Sequence, residues 1–360
     1  VGVAVHPTYT AGEGVAVQPT YIAGAAVAPP PLFISKLKDK QQVSALLKSA
    51  GIAVRNCALV KRGEKVLVIV DAPKREIGYA LLEAARGVTS EAVLVEITPG
   101  RFHGEEPPPE IASLMKRFDV IFAPTSRSLS HTKARREASK SGVRIATLPD
   151  IWRQTFLRAL NADYKRIARR SRKLAEIISR GKTARVTTPS GTDLTMPVRG
   201  RKCKADTGIL DRPGEFCNLP AGEAYIAPLE GRTEGVAVID GAMSGVGILK
   251  NPIKIVFEEG YAVKISGGNE AKRLRSLLQS VKDRNAYNFA ELGIGTNDKA
   301  KLCGSVLEDE KVMGTIHIAL GDSKSMGGKI EVPSHLDGMM MKPTLYIDDE
   351  VIMKEGRLRI

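Results

Sequence analysis

Continuous apolar runs dominate the first half of the chain and alternating ones the second. Lys65-Val66-Leu67-Val68-Ile69-Val70 is an uninterrupted apolar stretch of strand length, which predicts a strand buried on both faces. Ile77 to Arg86 reads as a helix. Ala92-Val93-Leu94-Val95-Glu96-Ile97, Asp119-Val120-Ile121-Phe122-Ala123 and Val143-Arg144-Ile145-Ala146-Thr147-Leu148 predict three more strands. Strands alternating with helical stretches predict an α/β N-terminal domain whose parallel sheet is covered on both faces. No G-x-G-x-x-G follows the first strand, so a dinucleotide site is not indicated. Ligands of such sheets bind beyond the carboxyl ends of the strands, and the third strand ends in the hydroxyl-rich turn Pro124-Thr125-Ser126-Arg127-Ser128-Leu129-Ser130-His131. Capping of the next helix by Thr or Ser is the simpler reading of that turn, with His131 structural or exposed.

Beyond this domain the period changes twice. Leu160, Tyr164, Ile167, Ser171, Leu174 and Ile178 recur at helical spacing, while Arg166, Arg169, Arg170, Arg172 and Lys173 fall on the other side. The pattern predicts one amphipathic helix with a basic face. From about residue 183 the period is two: Arg185 to Thr188, a Pro-Ser-Gly-Thr-Asp turn and Leu194 to Val198 predict a hairpin. Short strands follow at Gly235 to Asp240, Ile253 to Glu258, Ala262 to Ser266, Thr315 to Leu320 and Thr344 to Ile347, with a helix at Lys272 to Val281. The expected organisation is an arm or linker at 1–33, an α/β domain at 34–182 ending in the basic helix, and a β-rich α+β domain at 183–360. The arm holds a repeat of period twelve, Val3 to Gly12 returning as Val15 to Gly24, and then Pro29-Pro30-Pro31. His6 within it reads as incidental.

Composition adds limits. Aromatics are 5% of the chain, so the core is expected to be aliphatic. No run approaches a transmembrane length, and no membrane partner is expected. Four cysteines without a C-x-x-C pair suit a reducing cytoplasm rather than a disulfide framework or zinc ribbon. The formal charge of +14 is concentrated between Lys133 and Lys182, where fifteen Lys/Arg face four Asp/Glu. That basic region suits a solvated face or a subunit contact, and more weakly an acidic partner such as nucleic acid.

The chemistry lies in the second half. His317 sits in the alternating run Gly314 to Leu320, and His335-Leu336-Asp337 places an imidazole and a carboxylate two apart, hence on one face of a strand. Two imidazoles and one carboxylate suffice for a metal centre with open positions. Glu223 follows the turn Asn218-Leu219-Pro220-Ala221-Gly222, and Glu291 stands among the small and apolar residues up to Asn297. A carboxylate in such surroundings needs a partner. Five candidate ligands are enough for two divalent ions sharing a bridging carboxylate and a water.

The motifs Asn218-Leu219-Pro220-Ala221-Gly222-Glu223, Glu291-Leu292-Gly293-Ile294-Gly295-Thr296-Asn297, His317-Ile318-Ala319-Leu320-Gly321 and His335-Leu336-Asp337 resemble, in order and context, those of the aminopeptidase T/S metallopeptidases. The resemblance runs from about residue 37 to 355. It implies a two-metal hydrolase that releases N-terminal residues from peptides, usually a homodimer, with zinc or cobalt held by Glu223, Glu291, His317, His335 and Asp337. Glu223 and Glu291 would be the carboxylates that bridge the ions or relay the proton. Two departures stand out. Lys324 occupies the position of the family's tyrosine, seven residues after the first histidine, and the interval between the two histidines is short. Relatives on the same scaffold resemble the dihydroxypyridine ring-cleaving dioxygenases, which would need one Fe(II) on His317, His335 and Asp337 alone. A non-enzyme alternative is a basic binding protein for an acidic partner.

Overall fold

A computed structural model describes residues 40–360; the twelve-residue repeat, the proline triplet and His6 lie outside the described residues. The chain divides into two compact units, one running through Asn161 and including Gly208–Pro220, the other formed by Ala162–Thr207 and Ala221–Ile360.

The first unit carries α1 (Lys40–Ile52), β1 (Val66–Val70), α2 (Arg75–Arg86), β2 (Ala92–Glu96), α3 (Pro109–Met115), β3 (Val120–Ala123), α4 (Lys133–Lys140), β4 (Arg144–Thr147) and α5 (Arg153–Arg158). The chain then enters the second unit through α6 (Tyr164–Arg180), β5 (Thr183–Thr187), β6 (Asp193–Pro197) and β7 (Lys204–Asp206). It returns to lay β8 (Phe216–Asn218) beside β4. The resulting sheet has the order β2-β1-β3-β4-β8 and every pair is parallel. Strands β1, β3 and β4 are buried at every position, which is why β1 and β3 read as continuous apolar runs; in β4 the buried Arg144 is paired with Glu64. The hydroxyl-rich turn after β3 is internally satisfied. Ser126 donates its backbone N–H to Asp71 at 2.6 Å, Ser130 Oγ and Thr147 Oγ1 lie 2.8 Å apart, and the Thr132 side chain caps α4 by accepting from Arg135 N.

The second unit continues with β9 (Glu223–Ile226), β10 (Glu234–Ile239), β11 (Ala242–Met243), β12 (Gly247–Ile248), β13 (Ile253–Glu258), β14 (Tyr261–Ser266) and α7 (Asn269–Ser280). After these come β15 (Phe289–Gly295), α8 (Val306–Asp309), β16 (Thr315–Gly321), β17 (His335–Met341), β18 (Thr344–Ile347), β19 (Glu350–Lys354) and β20 (Arg357–Leu358). Two antiparallel sheets result, β14-β13-β10-β6-β5-β18-β19-β20 and β12-β11-β17-β16-β15-β9-β7. Their common core is mainly aliphatic, with Val186, Ile255, Leu292, Ile318 and Met340 buried together. Phe257 and Phe289 meet edge to face at 5.1 Å.

Helix α6 corrects the expected boundary at residue 182. It is capped by the Asp163 carboxylate, which accepts from Lys165 N at 3.0 Å and Arg166 N at 3.1 Å. Its stripe of Tyr164, Ile167, Ser171, Leu174 and Ile178 is buried, against β7 and β9 of the second unit. Periodicity revealed a face to be buried but not which sheet would cover it. Arg166, Arg169, Arg172 and Lys173 are exposed, whereas Arg170 is tied to Thr296 O at 2.9 Å and Asp298 at 2.8 Å. Among the described residues no helix is long and apolar enough to cross a membrane.

Candidate metal centre

The five ligand positions expected from the sequence meet on one face of the seven-stranded sheet. Along β16, Ile316, Ile318 and Leu320 enter the core, so by alternation His317, Ala319 and Gly321 face the other way. Register brings the neighbours alongside: Glu291 opposite Ala319, Ala319 opposite Asp337, Gly293 opposite His317, and Gly321 opposite His335. Glu223 at the start of β9 pairs with Gly295. Each candidate ligand therefore stands across from Gly or Ala on at least one side, and the space a larger side chain would take there is left open. Gly293 is the strictest case, because a Cβ there would lie 2.0 Å from His317 Nε2.

The turn before Glu223 is locked to the segment after Glu291. Asn297 Nδ2 donates to Ala221 O at 3.0 Å, and Thr296 N donates to Gly222 O at 2.9 Å. The two sequence motifs thus form one structural unit.

Glu291 lies between the imidazoles, with Oε1 3.5 Å from His317 Nε2 and Oε2 3.1 Å from His335 Nε2. Asp337 Oδ1 is 3.3 Å from His335 Nε2, and Glu223 Oε2 is 3.4 Å from His317 Nε2. His335 Nδ1 is 2.9 Å from Asp322 O; a carbonyl can only accept, so Nδ1 carries the proton and Nε2 is aimed at the carboxylates. Asp337 is held by Ser244, whose Oγ accepts from Asp337 N at 2.9 Å and donates to Oδ2 at 3.4 Å. Burial opposes charge on His317, yet Glu291, Glu223 and Asp337 raise its pKa to about 9. His335 is likewise desolvated but is driven well above its ordinary value by Asp337 and Glu291. Burial alone would raise Glu291; the two imidazoles hold it well below the usual carboxylate range.

Glu223 Oε2, both ring nitrogens of His317 and Asp337 Oδ1 are buried without a hydrogen bond of good geometry. Buried polar atoms are rarely left so, and carboxylate with imidazole is a donor set suited to a divalent transition metal. Among the described residues, two groups are compact enough to hold a cation: Glu291, His335 and Asp337, and Glu223, Glu310 and His317.

Sequence reasoning missed Glu310 and Lys311. They follow the one-turn helix α8, where no periodicity marks them. Lys311 is 2% exposed, with Nζ 2.6 Å from Glu223 Oε1, 2.9 Å from Glu310 Oε1 and 3.5 Å from Asp206 Oδ2. Burial disfavours its charge, but these three carboxylates raise its pKa well above the ordinary lysine value, so it remains an ammonium. The only advance signal was the demand of buried Glu223 for a partner.

Residues 46–360 match the family model described as NicX: 2,5-dihydroxypyridine 5,6-dioxygenase. The chain belongs to that family. A curated 2,5-dihydroxypyridine 5,6-dioxygenase of Pseudomonas putida KT2440 is 25% identical over 197 residues, covering 50% of this chain and 55% of the relative. The aligned region thus spans about half of the curated relative's length. The solved 2,5-dihydroxypyridine dioxygenase from P. putida KT2440 shares the fold at TM-score 0.74 and 19% identity, over 87% of this chain and 96% of that one. Wild-type AmpT from Thermus thermophilus also shares it, at TM-score 0.65 and 18% identity, over 88% and 99%.

Membership of the NicX family overturns the expected aminopeptidase and hydrolase activity. The scaffold relationship to aminopeptidase T stands, which is why the motifs resembled that family. Lys324 does not replace the missing tyrosine at the cluster: it is exposed and paired with Glu331.

Proposed function

We propose that this chain is a mononuclear Fe(II) ring-cleaving dioxygenase, with the ion held by His317, His335 and Asp337. The observation that carries the one-ion reading is Lys311. Its ammonium already lies against Glu223 and Glu310 at 2.6 and 2.9 Å, where a second cation would have to go. Placing a divalent ion beside that buried ammonium would be strongly unfavourable at low dielectric. What is left is His317, His335, Asp337 and Glu291; with Glu291 kept as the proton acceptor, two imidazoles and one carboxylate hold the ion, an arrangement with open positions.

Bound Fe(II) would supply those positions to the hydroxyls of an aromatic ring and to O2. The residues do the rest. Asp322 O and Ser244 fix the orientation of His335 and Asp337. Glu291, ionised and within 3.1 Å of His335, is placed to accept a proton from a ring hydroxyl. Glu223, tied to Lys311, closes the side of the site next to His317. In the overall reaction one ring carbon–carbon bond breaks and both atoms of O2 enter the product. The dihydroxylated ring supplies the four electrons, so no separate reductant is required.

The family description makes 2,5-dihydroxypyridine the first compound to test. Iron-loaded protein should consume one O2 per ring, and both atoms of 18O2 should appear in the product. Absence of oxygen uptake with 2,5-dihydroxypyridine and with a panel of dihydroxylated benzenes and benzoates would sink the proposal.

A further inference from the structure

The second unit contains a cavity of about 620 Å3, and cations crowd its wall: Arg201, Lys202, Lys204, Arg232 and Lys329, against the single carboxylate Glu230. Glu230 is already taken. It pairs with Arg201 and accepts from Lys329 N at 2.7 Å, while Arg201 Nη1 donates to Gly327 O at 2.5 Å. Among the described residues, the side chains of Lys202, Lys204, Arg232 and Lys329 are left without a carboxylate partner. Lys204 is the half-buried one, donating to Ser325 O at 2.9 Å. Burial lowers its pKa, and the charge of Glu291 offsets part of that.

The cavity adjoins the metal-binding face. On β7, Lys204 pairs with Tyr225 and Asp206 with Glu223, so Lys204 lies on the face that carries Glu223. Ala227 and Met326 line the cavity and pack with Tyr225, Ala290 and Ala319; Ala319 stands between Glu291 and Asp337 in register. An apolar strip therefore runs from the ligands to a concave basic wall. A solvated basic surface would be expected to be convex and to need no apolar floor. A hollow of this volume is in the range of small-molecule sites, and unmatched cations in it focus the field on an anion.

We infer that the substrate is an aromatic acid: a dihydroxylated ring that lies on the Ala227–Met326 strip and bears a carboxylate received by Lys204 and the neighbouring cations. This rests on the ring-cleavage reading and deepens it, since 2,5-dihydroxypyridine carries no such group.

The test is calorimetric titration of the zinc-loaded chain, which cannot turn over, with 2,5-dihydroxybenzoate and with 1,4-dihydroxybenzene. The acid should bind roughly tenfold or more tightly, the scale of one charge-assisted hydrogen bond. Lys204→Gln should remove most of that preference. The pair Arg232→Gln and Lys329→Gln, both at exposed positions, should remove part of it. Equal affinity for the two compounds would overturn the inference, as would a preference unmoved by all three substitutions. Inorganic phosphate competing as strongly as the acid would overturn it too, by marking a general anion site. Oxygen uptake by the iron-loaded chain separates the two claims. Uptake without an acid preference removes only this inference; an acid preference without uptake on any dihydroxylated ring removes the ring-cleavage reading and the substrate claim with it, leaving only an aromatic-acid binding site.

Discussion

Replacing Gly293 with alanine tests whether the imidazole of His317 is seated by the glycine opposite it. A Cβ at 293 would stand 2.0 Å from His317 Nε2, 2.2 Å from Cε1 and 2.7 Å from Cδ2. Carbon contacts settle at about 3.5–4.0 Å, so the ring must retreat by roughly 1.5 Å. Metal–imidazole bonds hold to within about 0.2 Å of their preferred length, and a retreat of that size removes one of three ligands. Disturbing a mere supporting contact of a ligand costs about 10–100-fold in metal affinity, so losing the ligand should cost at least about 100-fold. The fold should survive. Gly293 has no left-handed φ, alanine recovers about 0.5–1 kcal/mol of backbone entropy in a strand, and overpacking costs about 1–3 kcal/mol. Cobalt titration followed by visible absorption reads the affinity, and thermal unfolding in chelator reads the fold. Binding within about threefold of wild type would refute the seating of His317 described above.

Lys311→Met should leave Glu223 and Glu310 facing each other unpaired, a loss of about 3–5 kcal/mol for a broken buried pair. Added zinc should restore the melting temperature and raise the bound metal to two ions per chain by elemental analysis. Metal affinity should rise with pH. The metal-free His317 ring keeps its proton up to about pH 9, His335 is raised likewise, and each binds metal only without its proton, so affinity should climb by at least about tenfold per pH unit below that value. The sign for folding is opposite: a pKa raised from 6.5 to about 9 stabilises the metal-free fold fully below 6.5 and is lost as pH rises through 9, visible as a falling melting temperature in chelator. Ser244→Ala removes both side-chain bonds to Asp337 and should weaken metal binding about tenfold, measured by competition with a chromophoric chelator.

Much of the architecture was readable because burial is two-sided in some strands and one-sided in others. Strands β1 and β3 are covered on both faces and appear as unbroken apolar runs. Strand β16 has Ile316, Ile318 and Leu320 in the core and His317 on the other face, so its alternation revealed both a strand and a candidate ligand. Strands β7 and β8 were not readable: each has three residues, too few for any period. Glu223, Glu291, His317, His335 and Asp337 were singled out by type and setting, and the structure brings them together. Lys311 was not, because its partner Glu223 is 88 positions away and only the sheet register brings them together. That residue carries the proposed one-ion reading, so the sequence alone led to an expectation of two metals on five candidate ligands.

The most direct measurement is the iron content of the chain after anaerobic loading with Fe(II) and removal of unbound metal. One iron per chain, lost in His317→Ala, His335→Ala and Asp337→Ala alike, is the predicted result. Two irons per chain, or one iron that survives the loss of His335, would contradict the account.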